Sequence, residues 1–223
     1  MISILQNFVC TKESRVKLLK TEVPKMSKVF SDFEFYINYN SSKNFEEIYK
    51  IYEQSVEKLN FYNNLEKNWG AVTLALVEQI KTPYTLIVCE DYEYRINKKK
   101  FNDIMKEVVQ NDVGYLPIGR LWKYTRDEYL SGYRNGDKLY YYDALNSPGS
   151  SLSVDAIYKT ELFKEKLKDL LTYKSKNFAT YLPHHFEDIF HEPNGVTKWG
   201  KNVLCAIPKE IIIMHEQTER EYR

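Results

Sequence analysis

The first ninety residues alternate between two hydrophobic periods, and no other feature restricts the fold as much. Residues 2–10 form a mostly apolar run of strand length. Val16, Leu19, Val23, Met26 and Phe30 then recur at spacings of 3, 4, 3 and 4, which is one face of a helix. Ser14 is the expected N-cap of that helix, and Pro24, inside the pattern, predicts a kink or break. Residues 33–39 read as a strand rich in aromatics. Phe45, Ile48, Ile51, Tyr52, Val56 and Leu59 mark a second helix, and Phe61 with Tyr62 a short strand. A polar loop over 63–70 leads to a third helix over 71–81. Residues 84–89 are continuously apolar, as in a strand covered on both faces. Strands and helices taking turns in this way build a mostly parallel central sheet with right-handed crossovers, flanked by helices.

The second half is less regular. Residues 98–110 read as a helix, 114–119 as a short strand and 152–158 as an alternating strand. Thr160 is the expected cap of a helix carrying Leu162, Phe163, Leu167, Leu170 and Leu171. A short helix is expected at 186–190, and short strands at 203–207 and 211–214. Between 121 and 145 the chain is rich in Tyr, Arg and Gly without clean periodicity. There is no internal repeat and no linker rich in Pro, Gly or Ser. A single α/β domain over 1–223 is the expectation, a size one core can support.

Composition excludes several function classes. Thirty-two Lys plus Arg against 31 Asp plus Glu leave a formal charge of +1. A general nucleic-acid binder usually carries a marked basic excess, so no nucleic-acid partner is expected. Cys10, Cys89 and Cys205 are an odd number, far apart and without CxxC spacing. They read as core thiols in a reducing compartment. No apolar run approaches the roughly 20 residues that span a bilayer. The opening run lacks a basic leader and reads as a first strand, not a signal peptide. A cytoplasmic protein of a bacterium or a virus-infected host cell is expected, with peripheral membrane contact left open.

Ligands of open parallel sheets bind outside the carboxyl ends of the strands. The apolar run 84–89 ends there and delivers Glu90, Asp91, Tyr92 and Glu93. Three carboxylates in four residues repel one another unless a cation or a donor-rich ligand meets them. Asp91 and Glu93 alternate onto the same side of an extended chain, so both can face one divalent ion. A solvated acidic turn is the plainer alternative. No GxGxxG and no GxxxxGK[ST] follows any strand, which removes the dinucleotide fingerprint and the P-loop. A carboxylate-held metal is the other usual way to neutralise a diphosphate. His184, His185 and His191 cluster in sequence but lack the HExxH spacing of a zinc site.

The order of these segments resembles the GT-A glycosyltransferases (nucleotide-diphospho-sugar transferases), particularly their compact family-2-like members of bacteria and large viruses. The resemblance covers nearly the whole chain. That family has a Thr and an Arg after the first strand, where Thr11 and Arg15 stand. Its Asp-rich loop after the second strand, which contacts the nucleobase, corresponds to Asn38-Tyr39-Asn40-Ser41, with amide in place of carboxylate. Its Asn-x-Gly loop corresponds to Asn68-Trp69-Gly70, and its metal-binding DxD to Asp91-Tyr92-Glu93. A glycine loop before the acceptor-side strand corresponds to Ser147-Pro148-Gly149-Ser150. An xED motif, whose Asp commonly serves as base, corresponds to Phe186-Glu187-Asp188, and a C-terminal metal- or diphosphate-touching His to His215.

The resemblance implies a hexosyltransferase-type enzyme that moves a sugar from a UDP- or GDP-sugar to an acceptor hydroxyl. The acceptor would be a glycan or a lipid- or protein-linked group. It implies a divalent metal, Mn²⁺ or Mg²⁺, on Asp91 and Glu93 with His215. Thr11, Arg15, Asn38, Asn68, Gly70, Glu90 and Gly149 are the implied donor-binding residues. Asp188, backed by Glu187, is the implied base, and direct displacement would invert the anomeric centre. Residues 1–93 would bind the nucleotide-sugar and 94–223 the acceptor. The alternative is a non-catalytic module on the same fold, binding a glycan or nucleic acid through Tyr, Trp and Lys.

Overall fold

The protein is described by a computed structural model covering residues 2–118, 134–144, 152–172 and 202–215, together with Pro183 and Phe186. Its first strand, β1 (Ile2–Phe8), is buried along its whole length. Ile2, Ile4 and Phe8 point into one hydrophobic layer and Leu5 into the other, so both faces of the strand are covered.

Helix α1 (Glu13–Val29) follows, its first turn preceded by Lys12 with no side-chain cap, so Ser14 lies inside the helix and does not cap it. The helix runs through Pro24 unbroken. A proline inside a helix costs about 3 kcal/mol, while each fully buried Val, Leu or Met contributes roughly 1.5–3 kcal/mol. Val16, Leu19, Val23, Met26 and Val29 are all buried along one face, and that face holds the helix together across the proline.

Strand β2 (Glu34–Tyr39) pairs parallel to β1, and β3 (Leu59–Tyr62) pairs parallel to β2. Between them α2 (Phe45–Ser55) ends before the helical spacing does. The Lys58 carbonyl already accepts from the Phe35 N–H at 2.9 Å, so the β2 ladder captures the chain and draws Leu59 into a strand. Helix α3 (Trp69–Val77) starts two residues earlier than its apolar pattern, because the Asn68 side chain accepts the Ala71 N–H at 3.1 Å. It leads to β4 (Tyr84–Ile87), which pairs parallel to β1 on the side away from β2.

Among the described residues a nine-stranded sheet has the order β3-β2-β1-β4-β9-β6-β10-β8-β7. The further strands are β6 (Tyr115–Pro117), β7 (Arg134–Asn135), β8 (Leu139–Asp143), β9 (Ala156–Lys159) and β10 (Leu204–Pro208). Seven of the nine run one way, with only β8 and β9 reversed. This is the expected mostly parallel sheet. Helices α1, α2 and α4 (Lys98–Gln110) cover one face. Helices α3 and α5 (Thr160–Thr172) cover the other. Thr160 is the first residue of α5; its hydroxyl donates to the Thr82 carbonyl at 2.7 Å and contacts the Thr85 hydroxyl at 3.0 Å. A separate two-stranded sheet joins β5 (Tyr92–Tyr94) to β11 (Ile213–His215). No helix of the described residues is long and apolar enough to cross a membrane.

Candidate functional site

The strand order fixes where a ligand crevice must open. From β1 the chain crosses to β2 over the face that α1 covers, whereas α3 on the opposite face delivers β4 to the other flank of β1. The carboxyl ends of β1 and β4 therefore diverge at a topological switch point, the place where open α/β sheets bind ligands. Thr11 and Arg15 follow β1 at this point, and Cys89, Glu90 and Asp91 follow β4.

Arg15, in the first turn of α1, turns inward and is 5% exposed. Its Nη1 bonds Glu90 Oε1, and its Nη2 lies 3.3 Å from Asp91 Oδ2. Glu90 and Asp91 are themselves only 7% and 9% exposed. A buried guanidinium is stable only where its planar fork meets acceptors, and these two carboxylates supply them. The Cys89 thiol sulfur and one carboxylate oxygen each from Glu90 and Asp91 all lie within 4.8 Å of one another. Two hard oxygens this close suit a Mg²⁺ or Mn²⁺ ion, and the thiol adds a softer donor.

The turn that carries these groups is pinned from below. The Cys89 N–H donates to Asp155 Oδ1 at 3.0 Å, and the Cys89 carbonyl accepts from Gln6 Nε2 at 3.3 Å. The Tyr92 hydroxyl donates to Asp155 Oδ2. Burial, with the Asp155 charge beside it, pushes the Tyr92 phenol well above its ordinary range and keeps it a donor. Gln6 Oε1 in turn accepts from the Tyr52 hydroxyl at 2.7 Å. Val88 still bonds to the Leu5 carbonyl, at 3.2 Å, but Cys89 turns to the Asp155 carboxylate. The strand stops at Ile87 for that reason, and the acidic turn begins.

Glu93 takes a different position from Asp91. It lies in β5 opposite Met214 and pairs with the half-exposed Arg95. Glu90, not Glu93, is the acid grouped with Asp91. The main chain of His215 is directly opposite Tyr92 in the β5–β11 ladder, so the C-terminal strand runs beside the acidic motif.

Asn38 is fully buried at the end of β2. Its Nδ2 donates to Asn7 Oδ1 at 2.9 Å and to the Asn64 carbonyl at 3.2 Å, and its Oδ1 accepts the Asn64 N–H at 2.8 Å. Two acceptors face its Nδ2. A carboxylate there would have no proton to give them, which explains an amide in the place of the resembling family's acid. Asn7 extends the network, donating to the Trp69 carbonyl at 3.2 Å and to Thr73 Oγ1 at 2.9 Å, while its own carbonyl accepts the Trp69 indole N–H at 3.0 Å. Asn38 thus fastens the 63–68 loop to the start of α3 and does not itself face solvent. Asn68 caps α3 at the rim and is half-buried. Gly70 is buried, and a Cβ there would stand 2.9 Å from Leu170 Cδ2, so the glycine lets α3 approach α5.

Gly149, Glu187 and Asp188 lie outside the described residues, as do His184, His185 and His191. Phe186, the residue before Glu187 in sequence, is fully buried. Its ring packs edge-on against Trp69 and Phe163, with centroids 6.1 and 5.9 Å away. Sequence reasoning missed Gln6, Asn7 and Asp155. Two amides inside an otherwise apolar strand were a usable signal, since buried polar groups require partners. Asp155 carried no such mark.

No protein-family model matches the sequence, and no curated protein does. Solved structures do match in fold. Residues 1–349 of S. aureus TarS, in complex with UDP-GlcNAc, superpose with a TM-score of 0.63 at 16% identity, over 99% of this chain and 59% of that one. A second structure of TarS 1–349 gives 0.62 at 15% identity, over 96% and 60%. The mannosyltransferase PcManGT from Pyrobaculum calidifontis, in complex with GDP-Man and Mn²⁺, gives 0.55 at 12% identity, over 99% and 58%. The architecture is that of the GT-A glycosyltransferases. The chain spans 58–60% of the length of these solved chains.

Proposed function

We propose that the protein is a glycosyltransferase that transfers a sugar from a nucleotide-diphospho-sugar to an acceptor hydroxyl. The observation that carries this reading is the buried Arg15, Glu90 and Asp91 cluster at the switch point of a GT-A sheet. A carboxylate pair and a guanidinium at one crevice match what a nucleoside diphosphate brings: anionic phosphates with a bound divalent cation. Asp91 and Glu90 would hold the cation, with Glu93 and His215 on the adjoining β5–β11 ladder. The cation supplies charge that offsets what builds on the departing diphosphate. Arg15 and Thr11 would face the phosphates. Asn68 and the loop that Asn38 fastens would border the nucleoside, with Gly70 and Gly149 as further donor-site residues.

Asp188 would take the proton of the acceptor hydroxyl as that oxygen attacks the anomeric carbon, with Glu187 beside it in sequence. Direct displacement of this kind inverts the centre. Residues 1–93 would form the donor-binding half and 94–223 the acceptor half, in a cytoplasmic enzyme. Calorimetric titration with UDP and with GDP, each with and without Mn²⁺, tests the reading. Binding of one nucleotide that strengthens with Mn²⁺ supports it. Absence of nucleotide binding, or glycan binding indifferent to metal, would overturn it in favour of a non-catalytic module.

A further inference from the structure

Arg15 occupies the same two carboxylates that a divalent cation would use. Its guanidinium bonds Glu90 through Nη1 and reaches Asp91 through Nη2. All three side chains are nearly excluded from water, at 6% exposure for Arg15, 6% for Glu90 and 12% for Asp91. A cation placed between these oxygens would meet a positive charge within a few ångströms, and inside a protein such repulsion is far stronger than in water. Guanidinium and metal cannot both hold the pair on the same oxygens.

We propose that Arg15 is a built-in competitor of the divalent cation, holding Glu90 and Asp91 together until a nucleoside diphosphate draws the guanidinium onto its phosphates. The inference rests on the glycosyltransferase reading, and it goes further by linking the two ligands. A diphosphate is the acceptor an arginine fork prefers, because its oxygens match the fork in pairs. Once the guanidinium turns to the phosphates, the carboxylates are left with negative charge that a cation neutralises. Donor and metal then bind cooperatively, each removing the obstacle to the other, and the coupling is reciprocal.

The surroundings fit a two-state arginine. The acidic turn is fixed independently of Arg15, through the Asp155 bond to the Cys89 N–H and the Gln6 bond to the Cys89 carbonyl. Glu90 and Asp91 therefore keep their place when the guanidinium leaves. Arg15 itself is carried on the first turn of α1, an element separate from the turn that holds the two carboxylates.

The test is Mn²⁺ binding measured by electron paramagnetic resonance, without nucleotide and with saturating UDP or GDP, on the parent, Arg15→Met and Arg15→Lys. Without nucleotide, Arg15→Met is expected to bind Mn²⁺ at least tenfold more tightly than the parent. Arg15→Lys should fall between them, because an ammonium keeps the charge but cannot fork across both carboxylates. Nucleotide should tighten Mn²⁺ binding in the parent and do so much less in Arg15→Met. Equal or weaker Mn²⁺ binding by both variants would overturn the proposal, as would Mn²⁺ binding by none of the three proteins. If Arg15→Met gains Mn²⁺ affinity but no protein binds UDP or GDP, the competition stands and the glycosyltransferase reading fails.

Discussion

Asp155, just before β9, accepts the main-chain N–H of Cys89, just after β4, at 3.0 Å across 66 positions of sequence. One buried carboxylate thereby sets the direction of the turn that carries Glu90 and Asp91, and it takes the Tyr92 hydroxyl as well. Asp155→Ala withdraws this acceptor from both donors. Each buried polar group deprived of its partner costs about 1–3 kcal/mol. For a domain of this size each kcal/mol lowers Tm by about 2–4 °C. A fall of roughly 5–15 °C is expected by calorimetry, with Asp155→Asn, which keeps one acceptor oxygen, falling less. An unchanged Tm in the alanine variant would remove Asp155 from the framework of the site.

No part of Asn38 reaches solvent. Asn38→Ala should lower stability by roughly 1–3 kcal/mol, since Asn7 and Asn64 lose their shared partner. It should also weaken UDP or GDP binding by loosening the 63–68 loop. Asn38→Asp should be no better, because its carboxylate would face the Asn7 and Asn64 acceptors. Urea unfolding beside nucleotide titration measures both effects. A loss of nucleotide affinity without any loss of stability would point to direct contact instead.

The two acids of the DxD-like motif should separate cleanly. Asp91→Asn removes a hard anionic oxygen from the Glu90 and Asp91 pair and should abolish Mn²⁺-dependent nucleotide binding. Glu93→Gln affects a side chain paired with half-exposed Arg95, and exposed ion pairs contribute only about 0–1 kcal/mol. Its nucleotide affinity should stay within a few-fold of the parent. A collapse of metal binding in Glu93→Gln, with Asp91→Asn unaffected, would transfer the ligand role to Glu93.

Cys89 offers a probe of the same site. Cys10 and Cys205 are buried and Cys89 is half-buried. Burial also pushes the Cys205 thiol up, which keeps it protonated and unreactive. A thiol reagent should therefore modify one group quickly in the native protein and the rest only on unfolding. Cys89→Ser should remove the fast reaction. Mn²⁺ with nucleotide should slow it in the parent, because the sulfur stands within 4.8 Å of the Glu90 and Asp91 oxygens. Fast labelling that persists in Cys89→Ser would contradict this.

The alternation of strands and helices up to β4, and with it a mostly parallel sheet, was legible because it follows from local periodicity, which the first half of the chain carries strongly. Helix 98–110 coincides with α4 for the same reason. Boundaries failed where a distant partner decides them. Lys58 is captured by Phe35, Cys89 is turned aside by Asp155, and α1 is held through Pro24 by its buried face. The acidic turn was visible as a run of charges, yet its internal arrangement was not. Which acid joins Asp91 depends on where Arg15 reaches, and Arg15 comes from a helix 75 positions away. Amides showed the converse: Asn38 looks like a ligand contact in sequence and is an internal brace in the fold.

Asp188 is the residue whose test separates turnover from binding. It follows Phe186 by two positions, and the Phe186 ring is fastened to Trp69, whose indole N–H bonds the Asn7 carbonyl at 3.0 Å. Phe186 is thus packed against the tryptophan that bonds the strand end where the crevice opens. A base there must be ionised near neutral pH and must have room for the acceptor hydroxyl before it. Asp188→Asn keeps the size of the side chain and removes the proton acceptor. Loss of general-base help costs on the order of 10²–10⁴ in rate. The expected result is therefore a collapse of sugar transfer, read as nucleotide released in the presence of acceptor, while calorimetry gives parental nucleotide and Mn²⁺ affinities. Parental turnover in Asp188→Asn would exclude it as the base and direct the same substitution test to Glu187. A variant that loses nucleotide binding together with turnover would assign Asp188 to the donor site.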